Sequence, residues 1–109
     1  MESFTEVTAK FDASHQVAHP ARCASLHGHT FTVRVFVRAD APQLQDLLST
    51  ILYELNDRDL NLMMIGGEPT LSGIARWLAE RLVEAFPNLE MIEVEDGRGL
   101  AGGVTRTKR

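Results

Sequence analysis

The sequence predicts an α+β domain, an antiparallel sheet covered on one face by two helices. Three observations carry this. Two long segments near the start alternate between apolar and polar residues, as half-buried strands do. Two stretches in the middle place leucine, isoleucine and alanine at helical spacing. A short apolar-alternating segment follows the second of them. The order strand, strand, helix, helix, strand suits hairpin pairing of the leading strands, with both helices packed on one side.

In the first strand, residues 4–15, Val7, Ala9, Phe11, Ala13 and His15 share one parity, while Glu6, Thr8, Lys10 and Asp12 share the other. Residues 16–26 have no period and contain Pro20, which reads as a loop. Residues 27–38 alternate again, with His27, His29, Phe31, Val33, Val35 and Val37 on one face and Thr30, Thr32, Arg34 and Arg38 on the other. Phe36 is the one apolar residue on the polar parity. Asp40 is the expected cap of a helix that starts near Ala41 and Pro42, since proline is tolerated in a first turn. Leu44, Leu47, Leu48, Ile51, Leu52 and Leu55 form its apolar stripe. The segment from Asn56 to Pro69 is polar, carries Gly66 and Gly67, and reads as a loop. Thr70 can cap a second helix bearing Ile74, Ala75, Leu78, Ala79, Leu82 and Val83, with Pro87 marking its end. Residues 91–95 form a short strand, residues 97–103 a glycine-rich turn, and a last strand is expected near Val104 to Arg106.

At 109 residues the chain is one domain's worth, so residues 1–109 are read as a single unit. A net charge of −4, with no basic stripe bearing aromatics, argues against nucleic-acid binding. The one cysteine, Cys23, cannot form an internal disulfide, which fits a reducing compartment. Glu2, Glu6 and Lys10 interrupt any apolar leader, and no apolar run nears the ~20 residues of a membrane span. The expectation is a cytoplasmic protein with no membrane partner.

His27 and His29 are two residues apart on a strand and share its apolar face, and His15 ends the apolar face of the preceding strand. If these strands pair, three imidazoles converge at one rim of the core. Three neutral imidazoles with one open position make a catalytic zinc arrangement. A single histidine on an apolar face is more often a hydrogen-bonded core residue. Three of the chain's four histidines sharing that face bring the two readings to even weight. His19, beside Pro20, reads as exposed. Cys23 stands four residues before His27. A lone cysteine is usually inert, but near a metal its thiol ionises and becomes a base, nucleophile or ligand.

These residues carry a family pattern. Phe11-Asp12-Ala13-Ser14-His15 matches Phe-x-Ala-x-His, and Cys23-Ala24-Ser25-Leu26-His27-Gly28-His29 matches Cys-x-x-x-His-Gly-His. Leu60-Asn61, Pro69-Thr70, Ala75 and Trp77 match later landmarks. The chain resembles the 6-pyruvoyl-tetrahydropterin synthase superfamily, which includes 6-carboxy-tetrahydropterin synthase. The resemblance implies a T-fold and a homo-oligomer, trimer or hexamer, with sites between subunits. It also implies a pterin substrate such as 7,8-dihydroneopterin triphosphate. One zinc ion (Zn2+) per subunit would be held by His15, His27 and His29, with Cys23 moving protons as a thiolate.

The sequence departs from the pattern at the residues that assist the cysteine. The family's Leu-Asp-His-x-x-Leu-Asn stands here as Leu55-Asn56-Asp57-Arg58-Asp59-Leu60-Asn61. An amide replaces the carboxylate, and a carboxylate replaces the imidazole. Carboxylates ordinarily titrate near ~4 and imidazoles near ~6.5, so the exchange alters the proton chemistry. By the resemblance, Cys23 and Asp57 are the catalytic candidates. Asp96, with Glu95 as the alternative after a register shift, and Thr70 are the substrate-binding candidates. The family's Pro-Thr-x-Glu has become Pro69-Thr70-Leu71-Ser72, and the segment between the second strand and the first helix is short.

Overall fold

Strands β1 (Thr5–His15) and β2 (His27–Val37) pair antiparallel without a slip, from Thr5 opposite Val37 to His15 opposite His27. The structure, a computed structural model, describes residues 3–15, 27–63, 68–97 and 101–105, with the backbone alone described at positions 27, 104 and 105. The expected parity holds. Val7, Phe11, Ala13 and His15 are buried on β1, and His29, Phe31, Val33, Val35 and Val37 on β2. Because side chains alternate, a one-residue slip would turn this whole set to solvent, so burial fixes the register. Phe36 is explained on the outer face. Its ring stacks on Phe4 at 5.3 Å between centroids, and the Arg38 guanidinium lies 5.5 Å from the Phe4 centroid.

Helix α1 (Leu44–Leu55) buries Leu44, Leu48, Ile51, Leu52 and Leu55. It begins later than expected and Asp40 does not cap it. Gln43 occupies the cap position and makes no side-chain cap bond. A turn closed by the Leu44 N–H donating to the Ala41 carbonyl comes first. The entry is instead tied to β1, where the Thr5 hydroxyl donates to the Ala39 carbonyl and accepts from the Ala41 N–H.

Among its described residues the expected loop from Asn56 to Pro69 contains two short elements, β3 (Arg58–Asp59) and a single helical turn, α2 (Leu60–Met63). β3 runs parallel to β1, with Ala13 opposite Arg58 and Ser14 opposite Asp59. Elements of two and four residues are too short to show a period. Helix α3 (Leu71–Leu82) begins as expected, with the Thr70 side chain accepting from the Gly73 N–H at 2.9 Å. A Cβ on Gly73 would collide with the Glu68 carbonyl oxygen, so this turn admits only glycine.

Strand β4 (Leu89–Glu95) pairs antiparallel with β2, and β5 (Ala101–Thr105) with β4. β5 starts earlier than expected, taking Gly102 and Gly103 into the strand. A Cβ on Gly102 would lie 2.8 Å from the Leu71 Cβ, so the absence of a side chain lets β5 reach the start of α3. The sheet order is β3-β1-β2-β4-β5. α1 packs on β1 and α3 on β4 and β5, enclosing one core that includes Phe31, Val33, Val35, Leu48, Leu78 and Ile92. Each such apolar side chain contributes about 1.5–3 kcal/mol by leaving water. None of the helices among the described residues is long and apolar enough to cross a membrane.

Candidate functional site

The β1–β2 register brings the histidines to one end of the sheet. His15 pairs with His27 across the ladder, and His29 stands opposite Ala13, one parity step away. The rings of His15 and His29 meet edge to face, 4.9 Å between centroids. Both also abut Phe31, at 5.3 and 5.2 Å. Phe31 in turn stacks on Phe11 at 5.1 Å. The imidazoles therefore stand on an aromatic floor that restricts their rotamers, and exposures of 2% for His15 and 9% for His29 leave them little freedom.

The Nδ1 atom of His15 lies 2.7 Å from the Pro69 carbonyl oxygen. A carbonyl only accepts, so Nδ1 carries the proton and Nε2 carries the lone pair. Metal-binding imidazoles are commonly oriented by this kind of N–H to carbonyl bond. The Nε2 atom is enclosed by protein. Two imidazoles side by side, one with its tautomer fixed by a carbonyl, offer the donor type that zinc takes. The side chain of His27 and the whole of Cys23 lie outside the described residues. Among the described residues no set of three His, Cys, Asp or Glu side chains is grouped as a metal site.

The other candidates divide between the two sides of this rim. Asp96 directly follows β4 on the parity of Ile92 and Val94 and is 4% exposed. Glu95 is exposed and sits opposite Thr32. The histidine-bearing face thus receives Asp96 and not Glu95. Gly97, with φ of 82°, turns the chain immediately afterwards, where a side chain would be strained. Asp57 is exposed, has φ of 61°, and lines a groove of about 500 Å³ together with Ser14, Gly28, His29 and Thr30. His29 therefore belongs both to the histidine pair and to the groove wall. Thr70 has a structural task as the α3 cap, and its neighbour Pro69 supplies the carbonyl that fixes His15. No residue type in the sequence signals that Pro69 contact, because any residue offers a backbone carbonyl.

The profile of the 6-pyruvoyl tetrahydropterin synthase family matches residues 5–99. The chain belongs to that family. A dihydroneopterin monophosphate aldolase of Pyrococcus furiosus is 34% identical over 87 residues, covering 72% of this chain and 74% of the relative. A 6-carboxy-5,6,7,8-tetrahydropterin synthase of Synechocystis is 34% identical over 107 residues, covering 77% and 78%. The 6-pyruvoyl tetrahydropterin synthase of Caenorhabditis elegans superposes with a TM-score of 0.82 at 16% identity, over 98% of this chain and 97% of that one. The family's T-fold is thus present, with five strands among the described residues backed by helices, as the sequence led one to expect.

Proposed function

We propose that the protein is a zinc-dependent lyase that acts on the C6 side chain of a reduced pterin, 7,8-dihydroneopterin triphosphate or a close relative of it. The observation that carries this reading is the His15–His29 pair, with the His15 tautomer set by the Pro69 carbonyl. His27, paired with His15 in the ladder, completes the ligand set. When bound, zinc supplies Lewis acidity toward a substrate oxygen. Cys23 as a thiolate takes a proton from the substrate side chain. Asp57, one of the residues lining the groove, takes the place of an imidazole as its proton partner. The Asp96 carboxylate accepts from the pterin amino group and ring N–H. The Thr70 hydroxyl accepts from Gly73 and keeps its own proton to donate to substrate. We place the protein in the cytoplasm, as a homo-oligomer, trimer or hexamer, with its sites between subunits.

The two curated relatives are named for different outcomes, an aldolase on a monophosphate and a synthase of 6-carboxy-tetrahydropterin. The test is incubation of zinc-loaded protein with the tri- and monophosphates of 7,8-dihydroneopterin, with products identified by mass spectrometry. The expected product is 6-carboxy-tetrahydropterin. Cleavage of the side chain to a one-carbon stub and a two-carbon phosphorylated aldehyde would assign the aldolase outcome instead. A second reading, a pterin-binding protein without turnover, is favoured by Asn56 and Asp57 standing where a carboxylate and an imidazole are usual. Substrate that binds and returns unchanged, with zinc present, would establish it.

Asp96→Asn is expected to weaken pterin binding about 10- to 100-fold, the range for losing charged hydrogen bonds. Glu95→Gln is expected to stay within about twofold, as exposed substitutions do. Calorimetric titration with a pterin measures both. The reverse pattern would return the anchor to Glu95.

A further inference from the structure

The corner between α1 and β3 is held by bonds that converge on Asn56 and Asp57. The Asn56 N–H donates to the Leu52 carbonyl and closes α1. The Asn56 side-chain Oδ1 accepts from the Asp12 N–H at 2.9 Å, while the Asp57 N–H donates to the Asp12 carbonyl at 2.6 Å. The Asn56 Nδ2 donates to Asp57 Oδ2 at 3.4 Å. Asp12 itself is held by the Thr30 hydroxyl, which donates to its Oδ1 at 2.6 Å. Asp12, Thr30 and Asp57 all line one groove, whose wall also includes His29.

From this geometry we infer that Asn56 is a positioning residue that aims the Asp57 carboxylate into the groove. This rests on the proton-handling role proposed for Asp57. Asn56 uses both ends of its amide. One end accepts from β1, and the other donates to Asp57. An aspartate at this position could still accept from the Asp12 N–H, but it has no donor for Asp57 and would add a third carboxylate beside Asp12 and Asp57. The amide at position 56 therefore suits a carboxylate at position 57. A carboxylate at position 56 suits a donor there.

The test follows from this complementarity and uses N56D, N56A and the double variant N56D/D57H. Histidine is among the residues that tolerate a left-handed backbone, so the double variant can keep the turn. N56D and N56A are expected to lower kcat about 10- to 100-fold with KM little changed, the scale for residues that orient a reacting group. N56D/D57H is expected to recover at least about tenfold over N56D, with a pH–rate limb near neutrality that comes from the imidazole. An N56D kcat within about twofold of wild type overturns the inference, and so does a lowered melting temperature with unchanged kcat. The carboxyl carbon resonance of Asp57 reads the contact without any turnover. Its movement in N56A upholds the contact, and its constancy overturns it. A wild-type protein that turns nothing over sinks the proposed function and the catalytic half of this inference, whatever the resonance does.

Discussion

His15→Ala is expected to leave less than about one-tenth of the wild-type zinc, since the proposed set of three protein ligands would lose one. Elemental analysis of purified protein measures this. The substitution also has a cost apart from the metal. His15 is 2% exposed, rests against His29 and Phe31, and donates to Pro69. Truncation leaves a cavity and a carbonyl without its donor, for a loss of about 2–5 kcal/mol, typical of buried large-to-small changes. His15→Phe separates the two effects, because it refills the space and supplies no nitrogen. That variant should lose zinc with the smaller loss of stability. Chelator should lower the melting temperature of the wild type, because a ligand that binds only the folded state stabilises it by mass action. It should leave both variants unmoved. Stoichiometric zinc in His15→Ala and His15→Phe would remove His15 from the ligand set.

His27→Ala is the companion variant, and the register says why the two belong together. His15 and His27 are partners at the last rung of the ladder. The shared parity of these histidines was legible in the sequence, because alternation fixes which residues of a strand share a face, whereas the rung that sets His15 opposite His27 comes from the ladder itself. The same logic covers Phe31, Val33, Val35 and Val37, all buried as their spacing requires. The α3 start was legible too, because Thr70 has a cap's chemistry and the helical spacing of Ile74, Ala75 and Leu78 follows it.

What escaped the sequence are contacts made by backbone atoms and by elements too short to repeat. The Pro69 carbonyl that sets the His15 tautomer has no side-chain signature. The parallel bridge of β3 to β1 involves two residues and brings Asn56 and Asp57 against Asp12. Sequence comparison could mark those two as departures from a pattern. It could not show that the amide of Asn56 already bonds at both ends. Glu95 and Asp96, by contrast, are told apart by strand parity, which the alternation of Ile92, Val94 and Asp96 already carries: Asp96 is buried and Glu95 exposed.

Cys23→Ala is expected to keep zinc at wild-type stoichiometry while turnover falls about 10²- to 10⁴-fold, the usual contribution of a positioned acid or base. The reason lies in the number of ligands. In the proposed ligand set three imidazoles would leave the fourth position of a tetrahedral zinc for substrate, and a thiol near such a cation ionises readily and so would serve as a proton carrier. Cys23→Ser should be nearly as slow, because a hydroxyl gives up its proton far less easily than a thiol. The measurements are zinc content by elemental analysis and product formation on the dihydroneopterin phosphates, made on the same preparations. If zinc leaves with the thiol, Cys23 is a fourth ligand. A site of one thiolate and three imidazoles is closed, as structural zinc sites are, and no coordination position remains for substrate. In that case the metal would pin the ends of β1 and β2 together, and the lyase reading would fall with the open site.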